Sequence, residues 1–207
     1  MLTNVYVDGF NLYYGCLKGT PYKWLDLGML CQALLPPNKI QRIRYFTAKV
    51  SAQADPHQPV RQSTYLRALQ TVPGLSVHLG HFLTSSTRMP LANPIPGGPR
   101  TVEVIKTEEK GSDVNLATYL LTDAFRADAD TFVLISNDSD LMEPIRLVRQ
   151  ELGYRVGIVN PHQVISRALQ RTQPSFTKQI RQGVLAASQF PAKLSDAHGT
   201  ITKPATW

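Results

Sequence analysis

The chain has only two cysteines, Cys16 and Cys31, which give no disulfide framework and no CxxC zinc pattern. No apolar run approaches the ~20 residues that a membrane span needs. The N-terminus "MLTNVYVDGF" has no basic segment leading into an apolar one, so no secretory signal is expected. GxxxxGK[ST], GxGxxG and GxSxG are all missing, which removes the best-defined nucleotide-binding loops and the serine-hydrolase elbow. The five histidines, His57, His78, His81, His162 and His198, are scattered, and neither cysteine shares a motif with any of them. His78 and His81 fall in or beside a strand and read as structural. These absences lead to the expectation of a cytoplasmic protein with no membrane partner.

Acidic residues are also scarce: 15 Asp and Glu against 22 Lys and Arg leave a net charge of +7. That sign suits an anionic partner such as nucleic acid. The basic residues are dispersed, however, so charge alone leaves a merely solvated basic surface equally open. With 207 residues, 43% of them hydrophobic, the chain can build one full core.

No internal repeat or low-complexity tract interrupts it. Strand-like runs at 2–8, 40–48, 75–83, 131–136 and 154–159 alternate with helical patterns at 25–35, 58–72, 111–127 and 140–152. Residues 84–100 read as a Pro/Gly-rich loop, followed by an extended piece at 101–108. Such alternation predicts parallel βαβ units and a three-layer α/β/α sandwich with a mainly parallel central sheet. Ligands of such sheets bind outside the carboxyl ends of the strands.

Carboxylates gather where that rule looks. The first strand ends at Asp8, with Asn11 close behind, and the strand 131–136 runs into Asn137, Asp138 and Asp140. On the helix 111–127 the positions 113, 116, 117, 120, 121 and 124 share one face; five are apolar, and Asp113 extends that face toward the sheet's end. Each Asp has a simpler reading. Asp138 or Asp140 can cap the following helix, Asp140 and Glu143 resemble a capping box, and Asp113 can serve the helix dipole. Asp8 is harder to dismiss, because a carboxylate ending an apolar central strand is costly to bury unless paired or metal-bound. Four converging carboxylates repel unless cations neutralise them, and oxygen donors without a His/Cys set point to Mg²⁺ or Mn²⁺.

Three blocks carry a resemblance: "YVDGFNLYYG" (6–15), "EEKGSDVNLATYLLTDAF" (108–125) and "FVLISNDSDLMEPIRLVRQELGYRVGIV" (132–159). Together, in this order, they resemble the NYN domain, a branch of the PIN-like nuclease superfamily, and most of all its bacterial LabA-like members. The resemblance covers about residues 2–170; the tail from 188 also looks like the C-terminal segment of those proteins, so an intact end is expected. It implies a nuclease domain over 1–170 and a C-terminal extension over 171–207 that packs on it or trails it. Carried over by motif, Asp8, Asn11, Asp113, Asp138 and Asp140 are the expected catalytic set. Asp8, Asp113 and Asp138 would be metal ligands, Asp140 a further or outer ligand, and Asn11 would orient Asp8 or the scissile phosphate through its amide.

The expected activity is a Mg²⁺- or Mn²⁺-dependent endoribonuclease acting on single-stranded RNA. Lys106 and Lys110 are candidate phosphate contacts or else a solvated face; Arg61, Arg67, Arg146 and Arg149 are weaker candidates for the RNA path. A homo-oligomer is compatible with the sequence. The alternatives are a non-cleaving RNA-binding or regulatory module, and a small-substrate phosphohydrolase. The latter class pairs a nucleophilic Asp with a second Asp two residues on, where this chain has Phe10.

Overall fold

Runs such as "VYV" and "FVLI", apolar at every position, form strands buried on both faces, and helices must cover those faces. The computed structural model describes residues 1–52 and 55–207. β1 (Leu2–Asp8) leads into α1 (Gly9–Leu12), which continues as a wider π turn over Tyr13–Leu17. Then come α2 (Leu27–Leu34), β2 (Lys39–Ala48), α3 (Gln58–Leu69), β3 (Leu75–Pro90), β4 (Thr101–Lys110), α4 (Ser112–Phe125) and β5 (Thr131–Ile135). A 3-10 turn at Ser139–Leu141 opens α5 (Met142–Arg146), which ends in a π turn before β6 (Arg155–Asn160). The chain finishes with α6 (Arg167–Arg171), β7 (Phe176–Gln179), α7 (Gln182–Ala187) and the hairpin β8 (Lys193–Asp196) and β9 (Gly199–Thr202).

Seven strands form one sheet in the order β4-β3-β2-β1-β5-β6-β7, parallel throughout except for β4, which runs antiparallel to β3. The three-layer α/β architecture expected from the alternation is found. Side chains alternate across β1: Val5 and Val7 join Trp24, Leu30, Tyr65 and Leu69 on one face, while Tyr6 joins Leu116, Leu120, Phe132 and Ile145 on the other. From β1 the chain builds the sheet outward through β2 and β3, then returns through α4 to lay β5 against the opposite side of β1. Strand order therefore reverses between β1 and β5, and the crevice beyond their carboxyl ends is the sheet's switch point. No helix among the described residues is long and apolar enough to cross a membrane.

Four local expectations need correction. Residues 84–90 continue β3, so the connection covers only 91–100. The hairpin β3–β4 projects beyond the core with most of its residues exposed, so it lacks the one-sided burial that makes a strand legible. Helix 140–152 divides into 3-10, α and π turns. Its cap is Asp138, whose carboxylate accepts from the Asp140 N–H at 3.1 Å; Glu143 pairs with Arg146 and forms no capping box. On α4 the buried stripe is Ser112, Leu116, Leu120, Asp123 and Ala124. Asp123 goes inside because Arg44 of β2 meets it at 2.7 and 2.9 Å and the Tyr6 hydroxyl at 2.7 Å.

Past residue 170, β7 completes the sheet edge, and Trp207 packs its ring near those of Trp24 and Tyr65. Arg67 on α3 reaches Asp196 at 2.6 Å, holding the β8–β9 hairpin against that helix.

Candidate metal centre

Asp8 ends β1 and caps α1. One of its oxygens accepts from the Asn11 N–H at 2.9 Å, the other from the Ser136 hydroxyl at 2.9 Å. Residue 9 packs so closely on β2 that only glycine fits: a Cβ there would sit 2.7 Å from the Phe46 carbonyl oxygen and the Tyr45 side chain. Ser136 also accepts from the Asp138 N–H at 3.1 Å, so a single hydroxyl joins the tips of β1 and β5. From the second helical layer α4 brings Asp113 in its first turn, after Gly111 at φ 97°, a backbone state that favours glycine. Glu109 caps this turn, accepting from the Ser112 N–H at 3.1 Å and hydroxyl at 2.8 Å.

One oxygen each from Asp8, Asp113 and Asp138 lies within 4.8 Å of the other two. Asp8 is buried, Asp138 half-buried and Asp113 exposed as a residue. Burial pushes the Asp8 carboxyl up to about 6, with the Asp138 charge adding to it and the hydrogen bonds from Asn11 and Ser136 opposing it. The Asp113 carboxyl also rises to about 6, first from partial desolvation and then from Asp8, Asp138, Glu109 and Asp140. Both shifts mark sites where burial and neighbouring carboxylates disfavour negative charge that no protein cation offsets among the described residues. An oxygen-only donor set of this kind fits a hard divalent ion, Mg²⁺ or Mn²⁺.

The remaining predicted residues lie around this triad. Asp140 is exposed and lines a neighbouring hollow with Glu109, Lys110 and Asp113; it is not among the three whose oxygens meet. Asn11 steadies Asp8 through its backbone N–H rather than its side chain. Its side-chain oxygen accepts from the Asn137 N–H at 2.9 Å and meets His162 Nε2 at 3.1 Å. Nε2 must carry the proton for that contact to be a hydrogen bond. Asn137 in turn ties to Val164 and Ser166, at 2.9 and 2.6 Å.

Lys106 and Lys110 are exposed on β4 and share Glu108, at 2.6 and 3.4 Å. Arg61 pairs with Asp55, Arg67 with Asp196, and Arg146 with Glu143 and Glu151; Arg149 reaches Ser175 at 3.4 Å.

Several site residues escaped sequence reasoning: Ser136, Glu109, His162, and the aromatic wall of Phe10, Tyr14 and Phe82. Ser136 and Glu109 did carry a signal, since each is the polar residue at which a strand meets a carboxylate motif. His162 carried none, because only the fold brings it to Asn11 across 151 positions.

Carboxylates clustered at the switch point of a mainly parallel sheet define a three-layer α/β protein with a candidate metal site. The NYN domain family model matches residues 2–185, and the chain belongs to that family. It is 31% identical over 234 aligned positions to the 6-hydroxy-3-succinoylpyridine 3-monooxygenase HspA of Pseudomonas putida, covering 99% of this chain and 75% of that protein. Among solved structures it is similar to a protein of unknown function from Vibrio parahaemolyticus, with TM-score 0.55 and 18% identity over 87% of this chain and 93% of that one. At that identity the likeness is one of fold.

Proposed function

We propose that the protein is a Mg²⁺- or Mn²⁺-dependent endoribonuclease that hydrolyses single-stranded RNA. The observation that carries this reading is the meeting of Asp8, Asp113 and Asp138 at the crevice where strand order reverses. A bound divalent ion would supply Lewis-acid charge beside a phosphodiester and ease the ionisation of an attacking water. The chain's own part is to hold and aim. Asp8, Asp113 and Asp138 bind the ion, and Ser136 with the Asn11 N–H fix the orientation of Asp8. Asp140 adds negative charge from the outer side of Asp113. The Asn11 Nδ2 has no protein partner among the described residues and is available to a phosphate oxygen. Lys110, beside Asp113 in the same hollow, offers a phosphate contact. In-line attack leaves 5′-phosphate and 3′-hydroxyl ends. A crevice at strand ends admits a flexible single strand more readily than a duplex.

A second reading, oxygenation of a small aromatic compound, comes from the name of the Pseudomonas putida relative. An aromatic-lined cavity next to the carboxylates favours it. The donor chemistry favours hydrolysis, because three carboxylates differ from the two-histidine, one-carboxylate set of non-haem iron oxygenases. One experiment separates them: purified protein with labelled RNA and DNA in Mn²⁺, Mg²⁺ or EDTA, beside oxygen uptake with hydroxypyridines and a supplied reductant. Metal-dependent RNA cleavage supports the nuclease. Oxygen uptake with hydroxylated product and no cleavage would replace it.

A further inference from the structure

Next to the carboxylate crevice, on the other side of α1, lies a cavity of about 410 Å³. That volume suits one small ring system with its substituents rather than a length of chain. Its lining is aromatic: Phe10, Tyr13, Tyr14, Tyr45, Tyr65 and Trp207. Much of the polar lining is already engaged within the protein. The Tyr65 hydroxyl donates to the Leu25 carbonyl at 2.9 Å, and Gln62 bridges Val50 and Ala48 at 3.0 and 2.8 Å. Gln58 and Lys23 have no side-chain partner among the described residues, so the cavity combines an aromatic lining with an amide and an ammonium for a polar edge.

Phe10 and Tyr14 line this cavity and the crevice that holds Asp8, Asp113 and Asp138. Tyr14 is 60% exposed on the step between them, with the Lys18 ammonium 4.9 Å above its ring. An exposed aromatic under a cation, between a stacking cavity and a candidate phosphate site, matches the repeating chemistry of one strand: base, sugar, phosphate. We propose that the cavity takes one unstacked base of the RNA whose backbone crosses the carboxylate crevice. It thereby sets which nucleotide sits beside the bond that is cut. The inference rests on the proposed function and adds a base-reading subsite to it.

The test uses wild-type protein in EDTA, so that binding is read without turnover. Short single-stranded RNAs carry 2-aminopurine at successive positions, and its fluorescence reports stacking. One position should change sharply on binding while its neighbours change little. Tyr14→Ala removes the step and Gln58→Trp fills the rim; each should abolish that change and weaken binding about tenfold, the scale of one lost base stack. Tyr14 is exposed and Gln58 half-buried, and thermal melts check that the fold survives. Binding and metal-dependent cleavage with no position-specific change would overturn the subsite and leave the nuclease standing. A response to the free 2-aminopurine nucleoside, with none at any position in a strand, would assign the cavity to a small molecule and overturn it as well. No binding of RNA in either EDTA or Mn²⁺ would remove the subsite together with the proposed function.

Discussion

Asp8 ends β1 and Ser136 directly follows β5, its neighbour in the sheet, and the Ser136 hydroxyl donates to the Asp8 carboxylate at 2.9 Å. The same hydroxyl accepts from the backbone N–H of Asp138, so it fixes two members of the triad at once. In Ser136→Ala, Asp8 loses a hydrogen bond that favours its ionised form, and a partly buried N–H loses its partner. The expected cost is about 1–3 kcal/mol in urea unfolding. Mn²⁺ affinity should fall about 10–100-fold, as for other groups that orient metal ligands. Wild-type Mn²⁺ affinity in this variant would mean that the triad is not the metal site.

Asp8 gives a pH dependence with a definite sign. Its folded pKa of about 6 lies above the ordinary 3.8, so the folded protein holds the proton more tightly than the unfolded chain. The stability this gives is whole below pH 3.8 and is lost as pH rises through about 6. For buried Asp8 alone the loss is on the order of 3 kcal/mol. Metal-free protein should therefore melt several degrees lower at about pH 7.5 than at about pH 5, at roughly 2–4 °C per kcal/mol for a chain this size. Mn²⁺ should reverse the loss at the higher pH by binding the folded state. Asp138→Asn keeps a good N-cap and removes a neighbouring charge, so without metal it should melt above wild type and respond less to Mn²⁺. A melting curve indifferent to both pH and Mn²⁺ would argue against clustered, ionisable ligands.

The sheet and the carboxylate positions were legible because burial on both faces leaves unbroken apolar runs, and a lone Asp at the end of such a run stands out. Residues 84–90 of β3 were not, since a strand exposed on both faces looks like loop. Asp123 was missed for a different reason. Helical periodicity cannot show that a charged residue on the inner face will meet an arginine from a strand 79 positions away. The capping role went to Asp138 rather than Asp140 because Ser136 already holds the Asp138 N–H. That ties Asp138 into the turn at the strand tip, with its carboxylate aimed forward at the Asp140 N–H.

Lys106 and Lys110 share one carboxylate, so Glu108 masks part of their charge. If phosphates follow β4, RNA affinity should fall linearly with salt on logarithmic axes. Lys110→Glu should weaken binding and flatten the slope by about one unit, whereas Glu108→Gln should strengthen it. Filter binding across a salt series decides. Affinity independent of salt would leave these lysines as a solvated face.

The last prediction separates Asp140 from the triad. Asp140 is exposed, caps nothing and acts on Asp113 only through its charge, so Asp140→Ser and Asp140→Asn should keep wild-type melting within tenths of a kcal/mol. As an outer group it should cost about 10–100-fold in RNA cleavage. Asp138→Ala should also lose about 1 kcal/mol of stability, because the cap goes with the ligand. Asp8→Asn and Asp113→Asn each remove a ligand charge from the triad, and both should be folded and able to bind RNA but unable to cleave it. Ranking the variants by cleavage rate should therefore put wild type first, the Asp140 pair below it, and the triad variants at background. Full activity in Asp8→Asn, or cleavage that persists in EDTA, would end the nuclease reading. A pair of Asp140 variants as inactive as Asp8→Asn would instead make Asp140 a direct ligand, drawn in from the neighbouring hollow when the ion binds.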